Sequence, residues 1–162
     1  MTKVIDDLLD NDISDKITSF MLSNKFPWYF VNGISYKKDG DYQFVHNFAD
    51  KGNQCSKYYS MTFPILKKIN AERIFRIKAN LTKKNIINRK SPMHVDLHGK
   101  GFKTAVYYCN TNNGSTLFKN GKSVKSKKNR ILIFDGDLKH CGVDCTDKEY
   151  RLVINFNYLE KL

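Results

Sequence analysis

The stretch from His94 to Arg151 reads HVDLHGKGFKTAVYYCNTNNGSTLFKNGKSVKSKKNRILIFDGDLKHCGVDCTDKEYR, and it carries the side chains that decide the fold. His94 and Asp96 stand two residues apart, His140 lies far beyond them, and Arg151 follows His140. In a β-strand, residues i and i+2 point to the same side, about 6.6 Å apart. Because metal–ligand bonds are about 2 Å long, His94 and Asp96 can converge on one ion from one strand, and His140 must come from another.

Two imidazoles and one carboxylate on one side of a metal ion leave other coordination positions open. This 2-His-1-carboxylate set is typical of non-haem Fe(II) oxygenases. We therefore predict His94, Asp96 and His140 as metal ligands and catalytic residues. His98 is the rival imidazole, since it also stands two residues from Asp96. The glycines that follow it predict a turn there, which favours His94.

The chain has 162 residues, 41% of them hydrophobic and 27% charged, which predicts one globular domain over residues 1–162. No apolar run approaches the roughly 20 residues of a membrane span. The first residues, MTKVIDDLLDNDISDK, are acidic and lack the apolar core of a signal peptide. We therefore expect a cytoplasmic protein with no membrane partner.

The net charge of +12 invites a nucleic-acid partner or an acidic substrate. The 28 basic residues are mostly lysines, however, and arginine is the side chain favoured for phosphate and base contacts. The charge therefore has modest weight, because an AT-rich coding sequence also yields many lysines. The four cysteines predict no disulfide framework in a cytosolic chain.

The N-terminal part predicts helices and one strand. Residues 1–26 have a helical apolar stripe, with Asp12 as N-cap and Pro27 as terminator. A turn is predicted at Lys37–Asp41, a strand at Tyr42–Phe48 and a short helix at Ser60–Asn70.

The C-terminal part predicts many short strands without intervening long helices, which indicates an antiparallel barrel or jelly roll. In the strand Ile74–Thr82, alternation puts Arg76, Lys78, Asn80 and Thr82 on one face. The later predicted elements are Phe102–Asn110, Ser115–Phe118, a hairpin at Lys119–Lys128, Arg130–Phe134, Leu138–His140 and Tyr150–Tyr158.

The whole pattern resembles the Fe(II)/2-oxoglutarate-dependent dioxygenases, in particular their prolyl 4-hydroxylase-like branch. The matching pieces are HVD (His94–Asp96), TAVYYCN (Thr104–Asn110), NGSTLF (Asn113–Phe118), NRILIFDGDLKHCG (Asn129–Gly142) and YRLVINFNY (Tyr150–Tyr158). With FPWYF near the start, it is also similar to small bacteriophage-encoded oxygenases. The resemblance implies a mainly β fold with flanking helices: a double-stranded β-helix (cupin-like jelly roll) over residues 71–162, supported by residues 1–70.

The resemblance also implies a co-substrate site. Arg151 would hold the distal carboxylate of 2-oxoglutarate, Tyr108 would donate its hydroxyl to the same carboxylate, and Thr116 and Asn155 would line the pocket. The polar face of Ile74–Thr82 would line it as well, with Arg76, Asn80 and Thr82 as candidates; the alternative is that this face is solvated. The implied cofactors are Fe(II), 2-oxoglutarate and O2, with ascorbate as an optional addition. The loop Lys83–Met93 is a candidate lid.

The implied activity is hydroxylation of a substrate with release of succinate and CO2. A peptide or protein substrate, hydroxylated at proline, is the first expectation. The alternatives are a nucleic acid or nucleotide, suggested by the basic segments Lys83–Lys90 and Lys119–Lys128, a free amino acid, and a non-catalytic metal-binding cupin-like module. Arg151 argues against the last, since a simple metal binder needs no carboxylate anchor.

Overall fold

A computed structural model describes residues 2–35 and 40–161. The turn predicted at Lys37–Asp41 lies mostly outside these residues. The helices are α1 (Asn11–Met21) and α2 (Phe63–Leu66), the latter preceded by a 3-10 turn at Tyr59–Thr62. The strands are β1 (Thr2–Ile5), β2 (Tyr29–Asn32), β3 (Tyr42–Asp50), β4 (Asn53–Gln54), β5 (Ala71–Lys83), β6 (Phe102–Tyr108), β7 (Ser115–Phe118), β8 (Ser123–Lys125), β9 (Arg130–Asp135), β10 (His140–Val143) and β11 (Tyr150–Glu160).

The strands form two antiparallel sheets. The larger has the order β1-β9-β6-β11-β5-β3-β2, with β4 attached to β3, and the smaller has the order β10-β7-β8. At the centre of the larger sheet, β11 pairs with β5 along its whole length, from Tyr150 opposite Lys83 to Glu160 opposite Ala71. The architecture is a double-stranded β-helix, which confirms the predicted fold class. No helix among the described residues is long and apolar enough to cross a bilayer.

Each face of the larger sheet has its own core. The outer face packs beneath α1, whose Ile17 and Met21 are buried with Phe48, Tyr107 and Phe156. The inner face meets the smaller sheet around a second cluster, which comprises Val106, Tyr108, Phe118, Leu132, Phe134 and Val153. The functional side chains lie on this inner face.

The prediction of a helix over residues 1–26 is wrong at both ends. Thr2–Ile5 is instead a strand that pairs with β9, because the edge of that sheet satisfies its backbone groups. Asn129 then holds the next segment: its side-chain amide donates to the Leu9 carbonyl at 2.7 Å and its side-chain oxygen accepts from the Leu9 amide at 3.0 Å. The helix begins only after this clamp, with Asp10 rather than Asp12 before its first residue, and ends before Pro27 is reached.

Two other predicted elements differ in extent. The helix expected over Ser60–Asn70 is reduced to the 3-10 turn and the four residues of α2, with Pro64 in the first turn. The strand expected at Leu138–His140 is displaced forward to His140–Val143, where it pairs with β7. The second shift matters for the site, because it places His140 at the first position of β10.

Candidate metal centre

The three predicted ligands come together on the inner side of the larger sheet. The His94 Nε2 lies 3.8 Å from the Asp96 Oδ1, and the His140 Nε2 lies 3.6 Å from the Asp96 Oδ2. Their ligand atoms all lie within 4.8 Å of one another. Two nitrogens and one carboxylate at this spacing fit a single divalent ion with open positions.

The expected strand around His94 is absent, and this part of the prediction is wrong. His94 is held by a single bridge with His140: each backbone amide donates to the other residue's carbonyl, at 2.9 and 3.0 Å. This one pair suffices, because His140 is already fixed in β10 by its pairing with Phe118. The two imidazole ring centroids are 4.6 Å apart as a result.

Backbone carbonyls set the tautomer of both imidazoles. The His94 Nδ1 lies 3.1 Å from the Pro92 carbonyl, and the His140 Nδ1 lies 2.9 Å from the Leu138 carbonyl. A carbonyl only accepts, so each Nδ1 carries the proton and each Nε2 presents a lone pair. This is the usual arrangement of histidines that bind metal ions.

Three donors surround the Asp96 carboxylate. The Arg76 Nη2 donates to Oδ1 at 3.1 Å, while the Thr104 hydroxyl and the Asn157 amide donate to Oδ2 at 2.9 and 3.1 Å. Burial opposes ionisation of Asp96, but its interactions with protonated His140 and with Arg76, together with smaller contributions, outweigh it, so its pKa is lowered. Burial lowers the pKa of His140. The two shifts favour an ionised carboxylate and a neutral imidazole, which are the forms that bind metal ions.

Arg151 lies at the other end of the same cavity, with its guanidinium 5.7 Å from the ring centroid of the buried Tyr108. Arg151 is buried at 7% exposure, and its guanidinium donates to the Ser126 hydroxyl at 3.2 Å and to the Ser115 carbonyl at 3.4 Å. Among the described residues it has no ion pair with a carboxylate. The charge of Asp144 acts on Arg151 without a direct ion pair between them. Because a buried cation without a directly bound counter-ion is costly, this position suits an anionic ligand. The Tyr108 hydroxyl is nearby and donates to the Thr116 hydroxyl at 2.7 Å.

The remaining predicted pocket residues lie on the cavity wall. The Asn155 side-chain amide donates to the Asn80 side-chain oxygen at 2.8 Å, and the Asn80 amide donates to the Gln43 side-chain oxygen. These two hydrogen bonds connect β11, β5 and β3. Thr82 is buried on the same wall. The polar face of β5 thus lines the cavity rather than facing solvent. Whether these side chains bind a co-substrate stays a prediction.

The rival imidazole His98, the remaining histidine His46 and the nearby carboxylate Asp135 do not belong to the cluster. His98 is exposed and outside the ligand cluster. His46 is buried, and its ring is held by the Ser56 hydroxyl and the Pro27 carbonyl, both at 2.8 Å, which is a structural role. Asp135 pairs with Lys103 at 2.7 Å.

Sequence reasoning missed several residues on the cavity wall: Gln43, Lys78, Ser91 and Asp144. Alternation along β5 contains the signal for Lys78, since it puts this lysine between Arg76 and Asn80 on one face. Ser91 and Asp144 had no such signal, because they lie in irregular segments that only the tertiary fold brings to the cavity.

The loop Lys83–Met93 is hydrogen-bonded to β10 and to the segment that follows it. The amides of Lys84, Asn85 and Ser91 donate to the carbonyls of Glu149, Cys145 and Gly142, each at 2.9 Å. Ser91 also reaches the cavity. The loop therefore lies at the site, and its role as a moving lid stays a prediction.

Solved structures supply the comparisons. No protein-family model matches the sequence, and no curated protein matches it. A prolyl-4-hydroxylase from Pseudomonas putida is 12% identical, with 99% of this chain and 93% of that chain covered at a TM-score of 0.62.

Two further structures match at similar levels. A prolyl hydroxylase from Trichoplax adhaerens, in complex with a peptide fragment of the hypoxia inducible factor oxygen degradation domain, is 14% identical, with 98% and 83% covered and a TM-score of 0.60. HygX from Streptomyces hygroscopicus, with nickel and 2-oxoglutarate bound, is 11% identical, with 99% and 83% covered and a TM-score of 0.64. At these identities the likeness establishes the fold.

Proposed function

We propose that this protein is an Fe(II)- and 2-oxoglutarate-dependent dioxygenase. The observation that carries the proposal is the presence, in one cavity, of the His94–Asp96–His140 cluster and a buried Arg151 that forms no direct ion pair with a carboxylate of the described residues. A metal-binding module would need only the cluster. An oxygenase that uses 2-oxoglutarate needs both, and Arg151 can form a planar, two-point pair with a carboxylate.

Each protein group has a defined task in this scheme. His94, Asp96 and His140 would hold the ion, and Arg151 would hold the distal carboxylate of 2-oxoglutarate, with the Tyr108 and Thr116 hydroxyls beside it. Asn80 and Asn155 would maintain the width of the pocket through their mutual hydrogen bond. Iron with 2-oxoglutarate and O2 supplies the oxidation: 2-oxoglutarate becomes succinate and CO2, and one oxygen atom enters a C–H bond of the substrate.

For the substrate we propose first a peptide that is hydroxylated at proline. Its support is the fold likeness to two prolyl hydroxylases, one of them solved with a peptide, together with clefts that open from the metal cavity to the surface. A nucleic acid is the second candidate. It rests on the net charge of +12 and on the basic segments Lys83–Lys90 and Lys119–Lys128, and fold likeness by itself does not fix a substrate.

The proposal is tested by thermal unfolding with Mn(II) and 2-oxoglutarate. Because a ligand that binds only the folded state raises the melting temperature, we expect 2-oxoglutarate to raise it in the presence of Mn(II) and to raise it far less in the Arg151→Met variant. Succinate formation with Fe(II) and O2 then tests turnover. Mn(II) binding without any effect of 2-oxoglutarate would favour the non-catalytic module.

A further inference from the structure

Lys78 lies where the metal cavity opens towards the surface. On β5 its neighbours are Asn155 of β11 and Asn47 of β3. Its half-buried side chain lines the metal cavity and two adjoining clefts. One cleft passes His94, and the other runs over Val31 and Val45 on the same side of the sheet.

Lys78 differs from the two arginines of the cavity in having no hydrogen-bond partner among the described residues. Arg76 is committed to Asp96 and to the Asn157 side-chain oxygen, the latter at 2.9 Å. Arg151 is fixed at the opposite end by Ser126 and Ser115. Lys78, by contrast, forms no hydrogen bond or ion pair with any described residue.

This position is unfavourable for a lysine without an anion. Burial and, to a smaller degree, the nearby Arg76 charge lower the pKa of Lys78 to about 8, because the charges of Asp96 and Asp50 offset only part of the effect. A metal ion at the cluster would also neutralise part of the negative charge of Asp96, which would then stabilise the Lys78 ammonium less. A partly dehydrated ammonium between two asparagine side chains therefore favours a negatively charged ligand.

Lys78 and Arg151 occupy separate positions along the cavity wall. In the pairing of β5 with β11, Arg151 is opposite Thr82, whereas Lys78 is opposite Asn155. Four residues along a strand correspond to about 13 Å. The cavity thus has separate basic positions for two different anionic groups, and the Lys78 position faces the clefts through which a substrate would enter.

We propose that Lys78 binds a carboxylate of the substrate that is oxidised, so that this substrate is an anionic molecule: an acidic peptide or a free amino acid. The inference rests on the proposed function and narrows its substrate class. The apolar Val31 and Val45 and the amides of Gln43 and Asn47 line the adjoining cleft. They would contact the uncharged part of the same molecule.

The first test measures whether an anion binds at Lys78. Acetate is the probe, and acetamide is the uncharged control of similar shape. The Zn(II)-loaded protein, saturated with 2-oxoglutarate, is titrated while the lysine side-chain NMR signals are followed. The Lys78 signal is assigned by its loss in Lys78→Arg. We expect acetate to shift this signal saturably and acetamide to leave it in place. Equal responses to both, or a shift proportional to ionic strength alone, would overturn the proposal.

The second test identifies the source of the carboxylate through substrate-stimulated succinate formation. The probes are matched pairs: L-proline with L-prolinamide, and proline peptides that contain glutamate with the same peptides containing glutamine. We expect the charged member to be favoured at least tenfold in kcat/KM. This preference should vanish in Lys78→Met, persist in part in Lys78→Arg, and remain intact in Lys67→Met, an exposed control. Stimulation by oligonucleotides only would overturn the proposal.

A binding measurement separates this inference from the proposed function. Calorimetry of 2-oxoglutarate with the Mn(II)-loaded wild type tests the proposed function alone. The same titration of Lys78→Met and Arg151→Met tests Lys78. A loss of 2-oxoglutarate affinity in Lys78→Met as large as that in Arg151→Met would assign Lys78 to the co-substrate and overturn the inference, while leaving the oxygenase proposal intact.

Discussion

The two faces of β5 and β11 differ completely, although the same two strands carry both. On the outer face, Ile77, Leu152 and Phe156 have no exposed surface and pack beneath α1. On the inner face, Arg76 and Arg151, which directly precede Ile77 and Leu152 in the sequence, line a polar cavity. Successive side chains of a strand point to opposite sides. Residues that stabilise the core therefore alternate along each strand with residues that line the cavity. Substitutions at adjacent positions should therefore have separable effects.

The largest effect is expected at the metal cluster on the inner side. His140→Ala removes one of three ligands, and we expect stoichiometric iron binding to be lost, because losing even an outer partner of a ligand commonly costs about 10–100-fold in affinity. Equilibrium dialysis with metal analysis measures this. His98→Ala, an exposed histidine near the site, is the control and should bind iron normally. Undiminished binding by His140→Ala would remove His140 from the ligand set.

The outer face should respond in stability rather than in binding. Phe156→Ala leaves a cavity in a fully buried site, and we expect the free energy of unfolding to fall by about 3–5 kcal/mol. Urea unfolding measures it, and Phe63→Ala, at 45% exposure, should cost much less. The metal affinity of the folded Phe156→Ala protein should remain near wild type. A large loss of affinity without a loss of stability would contradict the separation of the faces.

Arg151 tests the inner face at its far end. Arg151→Met removes the partner of a buried carboxylate, and we expect 2-oxoglutarate binding to weaken by about 2–5 kcal/mol. Metal affinity should change little, because Arg151 makes no contact with the cluster. The control is Arg73→Met, an exposed arginine on β5. An unchanged Kd for 2-oxoglutarate would place the anchor elsewhere, but not at Arg76, which is bonded to Asp96.

A smaller effect is expected from the donors around Asp96. Thr104→Val keeps the side-chain shape but removes the hydroxyl that donates to Asp96 at 2.9 Å. We expect metal affinity to fall by about 10–100-fold, measured by competition with a chelator. Thr82→Val, on the same side of the sheet but without a bond to Asp96, is the matched control. Equal affinities in the two variants would show that the Asp96 network does not tune the metal.

The smallest effect concerns pH. Burial lowers the pKa of His140, and the net pKa of Asp96 is lowered as well. Both shifts extend the metal-binding forms of these groups towards lower pH, and the metal is released when protons compete with it for the ligand atoms. We expect release on acidification with a midpoint below about 6.5, the ordinary histidine value. Metal retention measured across pH 4–8 (about the range where histidine titrates) checks this, and a midpoint above 6.5 would contradict it.

Local pattern predicted the central strands well and the N-terminus poorly. Alternation over Ile74–Thr82 and Tyr150–Tyr158 predicted both strands, because each face meets a different environment along its whole length. The stripe over residues 1–26 misled because Thr2–Ile5 is stabilised by β9, a segment more than a hundred residues away. Such long-range pairing leaves no local periodicity.

For the site, the sequence by itself determined which residue types are present and in what order: His94, Asp96, His140 and Arg151. It also determined that Lys78 shares a face with Arg76 and Asn80. Only the tertiary structure decided that His94 needs no strand of its own, since its bridge to His140 fixes it. It also decided that Arg76 is bonded to Asp96 while Lys78 has no partner among the described residues. The reason is that strand register is set by the neighbouring strands and the buried face, and register alone determines which inward side chains meet.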